Sequence, residues 1–113
     1  MSGKLYLVTR ADLRHGSQAA QLVHGMATFA SDYPLTFEEW ERTSNIVVCL
    51  TVPDEKTLWH LKERAEQLSD ATEDGLPVST FVEPDLDNEL TCVVLAPIDS
   101  FAELCVGFPL ACR

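Results

Sequence analysis

The stretch Leu7-Val-Thr-Arg-Ala-Asp-Leu-Arg-His-Gly-Ser-Gln-Ala-Ala-Gln-Leu-Val-His24 decides the fold. Its first part continues Lys4 to Thr9, an apolar and partly β-branched run that suits a first strand. Gly16 and Ser17 break that pattern, and Ser17 is placed to cap a helix beginning at Gln18. Ala19, Val23, Met26, Ala27 and Ala30 then recur at helical spacing and predict its buried face. Gln21 and His24 lie three apart and share another face. The small Ala19 and Ala20 would let the helix start lie close to a sheet. A strand passing through a polar loop into a helix is an α/β unit, and such folds gather ligands where strand ends meet helix starts.

Working outward, Ser31-Asp-Tyr-Pro34 ends the helix, because a residue before proline avoids the helical region. Thr36 with Glu39 has capping-box spacing for a second, short helix that carries Phe37, Trp40 and Glu41. The run Ile46 to Val52 lacks polar alternation and reads as a buried central strand. Pro53-Asp-Glu55 starts a third helix with acids in its first turn and an apolar stripe of Leu58, Leu61, Ala65 and Leu68. After a polar turn containing Gly75, Val78 to Val82 and Leu90 to Ala96 form two more strands. From Pro97 a short helix through Phe101 and Leu104 ends near Gly107. The order β-α-α-β-α-β-β-α makes an α/β fold, a mixed sheet with helices on its faces. At 113 residues the chain has room for one domain, residues 1–113.

The N-terminal Met1-Ser-Gly-Lys4 leads only into the short apolar run Leu5 to Val8, too short for a signal peptide, so a cytoplasmic protein is expected. No stretch approaches membrane-spanning length. Cys49 and Cys92 sit in apolar runs as small hydrophobes, whereas Cys105 and Cys112, near the C-terminus, are candidates for exposure. With no C-x-x-C pair and no ligand spacing, neither metal nor cofactor is expected. The net charge of −10 opposes coating of nucleic acid by bulk attraction. That charge is uneven: residues 1–31 hold Lys4, Arg10 and Arg14 against Asp12 alone, so the locally basic region is the one that contains the strand-to-helix stretch from Leu7 to His24.

Free N–H groups at a helix start suit an anionic oxygen. Gly16, Ser17 and Gln18, with Arg10, Arg14 and His15 nearby, therefore form a candidate anion or phosphoester site; an ordinary Ser-capped turn is the plain alternative. His24 is either a general base or a half-buried structural histidine, and His60 reads as surface. In the loop Glu83-Pro-Asp-Leu-Asp-Asn-Glu89, carboxylates are placed to hold a catalytic acid or to face solvent in a hairpin connection. Thr91, at the start of the last strand, is expected to present its hydroxyl toward that loop.

Leu7 to Leu13, Gly16, Ala19-Ala-Gln21 and His24 resemble the opening signature of the type II peptidyl-tRNA hydrolases, a strand ending in Arg-x-Asp-Leu and a helix beginning Ala-Ala-Gln-x-x-His. The similarity continues in order through Trp40 before a Val-rich strand, Pro53 to Leu58, and Thr91 to Pro97. It implies a mixed four-stranded sheet flanked by helices and cofactor-free hydrolysis of the ester joining a peptide to tRNA. That chemistry needs a cation to hold the tRNA end and stabilise an oxyanion, with polar groups to orient water. The family places a lysine before Ala-Ala-Gln. This chain has Ser17 there, His15 two positions earlier, and a shorter loop. The resemblance thus implies catalytic roles for Gln21, His24, Asp85 and Thr91, with His15 or Arg14 in place of the lysine. Arg10, Asp12, Arg14, Gly16 and Ser17 would bind peptidyl-tRNA, and a homodimer is expected by analogy. The Gly-x-Thr that follows the family aspartate is absent after Asp85. An inactive relative that binds a protein or small anion is the competing reading.

Overall fold

The structure, a computed structural model, describes residues 3–113; Met1 and Ser2, which open the N-terminal stretch read above, lie outside the described residues. Its elements are β1 (Lys4–Arg10), α1 (His15–Asp32), α2 (Pro34–Thr43), β2 (Ile46–Val52), α3 (Glu55–Asp70), β3 (Val78–Glu83), β4 (Glu89–Leu95) and α4 (Asp99–Leu104), with a 3-10 turn over Pro84–Leu86. They form an α/β fold around one four-stranded sheet, ordered β2-β1-β4-β3. The sheet is mixed: β1 runs parallel to β2, whereas β4 is antiparallel to both β1 and β3. This is the architecture and element order expected from the sequence.

The position of β2 differs from the expectation. It is an edge strand, and its first half is open, with Ile46 49% and Val47 43% exposed. An unbroken apolar run marks a strand with apolar surroundings on both faces, and only Leu50, Thr51 and Val52 find them. The chain after α4 borders this edge. Thr51 N–H donates to Pro109 O and Ala111 N–H to Cys49 O, both at 2.9 Å. In this last part of the chain Cys105 is buried and Cys112 exposed, so one of the two candidates for exposure is inside.

Helix α1 departs further. It begins at His15 rather than Gln18, and Arg14 occupies the N-cap position with no side-chain cap bond, so Ser17 lies within the helix. Its buried residues are Gln18, Gln21, Leu22, Gly25 and Phe29; of the predicted face, Ala19, Val23 and Ala27 are exposed, whereas Met26 and Ala30 are half-buried, with Met26 packed against the core. Close approach to the sheet comes from Gly25, not from Ala19 and Ala20. A Cβ there would stand 2.3 Å from Cys92 Sγ and 3.1 Å from Val94 Cγ2.

The remaining helices are simpler. Pro34, with its pre-set φ and no N–H to satisfy, sits at the start of α2 and leaves Thr36 inside it. Trp40 Nε1–H, donating to Ile46 O at 2.8 Å, ties α2 to the start of β2. Asp54 caps α3 by accepting from Thr57 N–H at 2.9 Å; of the predicted stripe, Leu58, Leu61 and Ala65 are buried and Leu68 is half-buried. The final helix starts at Asp99, two residues after Pro97. Among the described residues no helix is long and apolar enough to cross a membrane.

Candidate functional site

The buried polar side chains gather at one end of the sheet. Thr9, Arg10, Gln18, Gln21, Thr51 and Thr91 all lie where β1 and β2 finish, β4 begins and α1 starts; among the described residues Ser79 alone lies elsewhere, bound to Asp32 at 2.8 Å. Two sequence patterns place them. The stripe Gln18, Gln21, Leu22, Gly25, Phe29 is one helical face whose first turns are polar. The antiparallel pairing of β3 with β4 sets Glu83 across from Glu89, so both acids close that end.

Gln21 is the hub. Thr91 Oγ1 donates to its carbonyl at 2.6 Å, and its Nε2 donates to Glu83 at 3.2 Å. With one partner on each end the amide cannot turn over, and one N–H and one carbonyl lone pair stay uncommitted. Thr91 has 0% exposure, so its hydroxyl does not reach the loop as expected; it points at α1 and fixes Gln21. Thr9 Oγ1, donating to Thr91 O at 2.7 Å, holds the strand behind it. One turn along α1, His24 stacks on Phe81 with ring centroids 4.6 Å apart and 13° between planes. The shared Gln21–His24 side is therefore real and faces β3. Gln21 is buried there, and His24 is exposed at its margin.

Arg10 is 7% exposed, and four of its five N–H donors are bonded inside the protein. It grips Asp12 through Nε (3.0 Å) and Nη2 (2.9 Å), and gives Nη1 to Glu89 at 2.6 Å. Bonding to Asp12 first, and to Glu89 after it, raises the guanidinium pKa above its ordinary value against the desolvation that burial imposes. What Arg10 contributes is placement of the strand-end carboxylates. The cations near the start of α1 that are open to a ligand are then Arg14 and Arg113, with the exposed imidazole of His15 at the same polar end. His15 and Arg113 line a hollow of ≈ 420 Å³ with Ala11, Gln18, Thr51 and Leu110. Gln18 is its wall: Nε2 donates to Leu13 O and Oε1 accepts from Cys112 N–H, each at 2.9 Å. Gly16 and Ser17 are exposed in the first turn of α1, beside this hollow.

Asp85 stands exposed on the 3-10 turn after Glu83, and Asp87 and Asn88, both at positive φ, fold the loop back into β4. The carboxylate that meets Gln21 is Glu83. Sequence reading grouped it with its neighbours; pairing of the two flanking strands was the signal that singles it out. Gln18 was named only for its place near the loop, and its role as a buried strut needed the true helix register. Among the described residues no group of three or more His, Cys, Asp or Glu is placed to hold a metal ion.

The family model described as peptidyl-tRNA hydrolase PTH2 matches residues 3–102, from the first strand through most of α4. The search of curated proteins returns no match.

Proposed function

The chain belongs to the peptidyl-tRNA hydrolase PTH2 family, and from that membership we propose that it hydrolyses the ester between a peptide, or an N-blocked amino acid, and tRNA. The observation that carries this reading is the 2.6 Å bond between Thr91 and Gln21, residues 70 apart in the chain and both drawn from the family-like motifs. A buried amide held by one partner on each end is positioned in advance, and its remaining N–H and lone pair are left for a ligand.

In this reading water adds to the ester carbonyl carbon, the C–O bond to the ribose breaks, and the ribose oxygen leaves with a proton. Gln21 directs the water or the carbonyl through its uncommitted N–H and lone pair. Thr91 is a positioning residue. Asp85 and His24, exposed on either side of Gln21's partners, supply the proton acceptor. Arg14 and His15 hold the tRNA end and oppose the developing oxyanion, with Gly16 and Ser17 in the same first helical turn; Arg10 and Asp12 fix the rim beside them. No cofactor enters. The substrate is met in the cytoplasm, and few cations bear on it, so its binding is weakly salt-dependent for a nucleic-acid ligand.

The test is release of the amino acid from N-acetyl-aminoacyl-tRNA by the purified full chain. Release above a buffer blank is expected, and joint replacement Arg14→Ala with His15→Ala lowers it by about a hundredfold or more. A wild-type rate equal to the blank removes the hydrolase reading and leaves the inactive binding relative. A double variant with the wild-type rate shows that the cation lies elsewhere.

A further inference from the structure

We propose that Cys49 and Cys112 form a reversible intramolecular disulfide, which clips the segment after α4 onto the open edge of the sheet. The proposal does not depend on the reaction, since neither thiol is placed in it.

The first observation is proximity. Leu50 on β2 pairs antiparallel with Leu110, flanked by the Thr51–Pro109 and Ala111–Cys49 backbone bonds. Cys112 is therefore the residue immediately after the one bonded to Cys49. It does not continue the bridge. Its φ of 63° is left-handed, and the chain turns there toward α1. Its N–H donates to Gln18 Oε1 at 2.9 Å, and its Sγ lies 3.8 Å from His15 O. Cys49 faces α1 as well, in an outer hollow of ≈ 180 Å³ that it lines with Leu7, Leu22, Val23, Met26 and Val47. Gln18 and Leu22 are successive turns of one helix face, about 5.4 Å apart along the axis. One cysteine sits against each turn, a spacing of the order that a disulfide spans, about 4.4–6.8 Å between Cα atoms. Burial raises the Cys49 thiol pKa, and the charge of a nearby Cys112 thiolate raises it further.

The second observation is that the other two cysteines do not compete. Cys92 is on β4, and β1 runs between it and β2, so the two strands are about 10 Å apart and too far to bridge. Cys105 is buried at the end of α4, the helix that packs on α3, whereas Cys49 and Cys112 face α1.

Exposure then divides the chemistry. Cys112 is exposed and meets the reagent; Cys49 is half-buried and resolves the product. The oxidant is a small disulfide such as oxidised glutathione. The Cys112 thiolate attacks one of its sulfurs, the S–S bond breaks, and one glutathione leaves as a thiolate that takes up a proton. A mixed disulfide remains on Cys112. The Cys49 thiol gives its proton to water, attacks Cys112 Sγ and expels the second glutathione thiolate, which is protonated in turn. Two protein thiols are oxidised and one small disulfide is reduced to two thiols. A bridge that ends at an exposed, left-handed residue is of the kind that reductants reopen. When it closes, the segment is tied covalently to β2, and Cys112 is kept on Gln18, the wall of the hollow beside His15.

The test treats the purified full chain with oxidised glutathione and reads intact mass, a peptide map and amide hydrogen exchange. The expected product is lighter than the reduced chain by two hydrogen atoms, with one Cys49–Cys112 linkage that dithiothreitol removes. Exchange of the Ala111 and Cys112 N–H groups is expected to slow by about tenfold or more. Cys49→Ala is expected to stop at a single glutathione on Cys112, and Cys112→Ser to stay unmodified. A wild-type chain that keeps a glutathione on Cys112, or takes up none, overturns the proposal. So does a linkage through Cys92 or Cys105, a disulfide between two chains, or exchange that the closed bridge leaves unchanged. Should Cys49→Ala fail to fold, the wild-type peptide map decides by itself.

Discussion

Helix α1 has two faces, and each contradicts its composition. The inward face holds two glutamines and a glycine with Leu22 and Phe29; the outward face holds Ala19, Val23 and Ala27, with Met26 and Ala30 half-buried at its margin. Hydrophobicity alone would turn the helix the other way. What the sheet offers decides otherwise. At the strand ends it presents Thr91 and Glu83, and with the Leu13 carbonyl and the Cys112 N–H these satisfy both amides on both ends. Each buried amide thereby avoids most of its desolvation cost. Further along, Cys92 and Val94 leave no room for any side chain, and only Gly25 fits. A helix seat is chosen by the match of partners and volumes, and the apolar stripe left over becomes available for another surface.

The sharpest break of this comparison is to cut equally into both faces. Phe29 has 0% exposure and packs 5.4 Å from the Tyr33 ring, so Phe29→Ala is expected to cost about 3–5 kcal/mol in urea unfolding. Val23→Ser, six residues earlier, is expected to change stability by no more than about 0.5 kcal/mol in dilute protein. Comparable losses at the two positions would mean that the outward stripe is core after all. Next in size is Gly25→Ala. The alanine gains about 1 kcal/mol of helix propensity, but its Cβ must displace Cys92 Sγ and lift the helix from Val94, so overpacking of about 1–3 kcal/mol outweighs the gain. A stabilised Gly25→Ala variant would show that α1 rides higher than its contacts indicate.

The same helix explains how far the sequence could be read. Element order and sheet content followed from runs of apolar residues and their breaks, because those signals are local. Register was not local. Ser17 is a good cap by residue type, yet α1 starts at His15, and the face that α1 buries follows from the partners the sheet offers and not from its run of apolar residues. Strand order was equally hidden: the run Ile46 to Val52 looks the same whether a neighbour lies on one side or two. At the site, Gln21 and Thr91 were legible as motif residues. Their direct bond, and the roles of Glu83 and Gln18, depend on how α1 sits and how β3 pairs with β4. Arg10 shows the opposite case, since it was named for a ligand and spends its donors on Asp12 and Glu89.

The smallest expected effect compares the thiols on the two sides of α1. Cys92 lies under Gly25 and is fully buried, and desolvation pushes its thiol far above its ordinary value near 9. Burial also pushes Cys105 up to about 12. Cys49, at the outer hollow, is half-buried and raised by the same cause. A group whose folded pKa lies above its unfolded pKa stabilises the protein below the unfolded value and loses that contribution as pH rises past it. Cys92 and Cys105 both stay protonated in the fold until far above 9, so the loss at moderate pH depends only on ionisation in the unfolded chain. Between pH 8 and 9 it comes to roughly 0.3 kcal/mol for each thiol, and replacing Cys105 by alanine should remove about half of the combined effect. Under reductant, urea unfolding at the two pH values measures it. Alkylation at neutral pH then ranks the same groups kinetically, with exposed Cys112 first, Cys49 next, and Cys92 only as fast as the protein opens. A Cys92 that reacts as fast as Cys49 would mean that the inward face of α1 is no better sealed than the outward one.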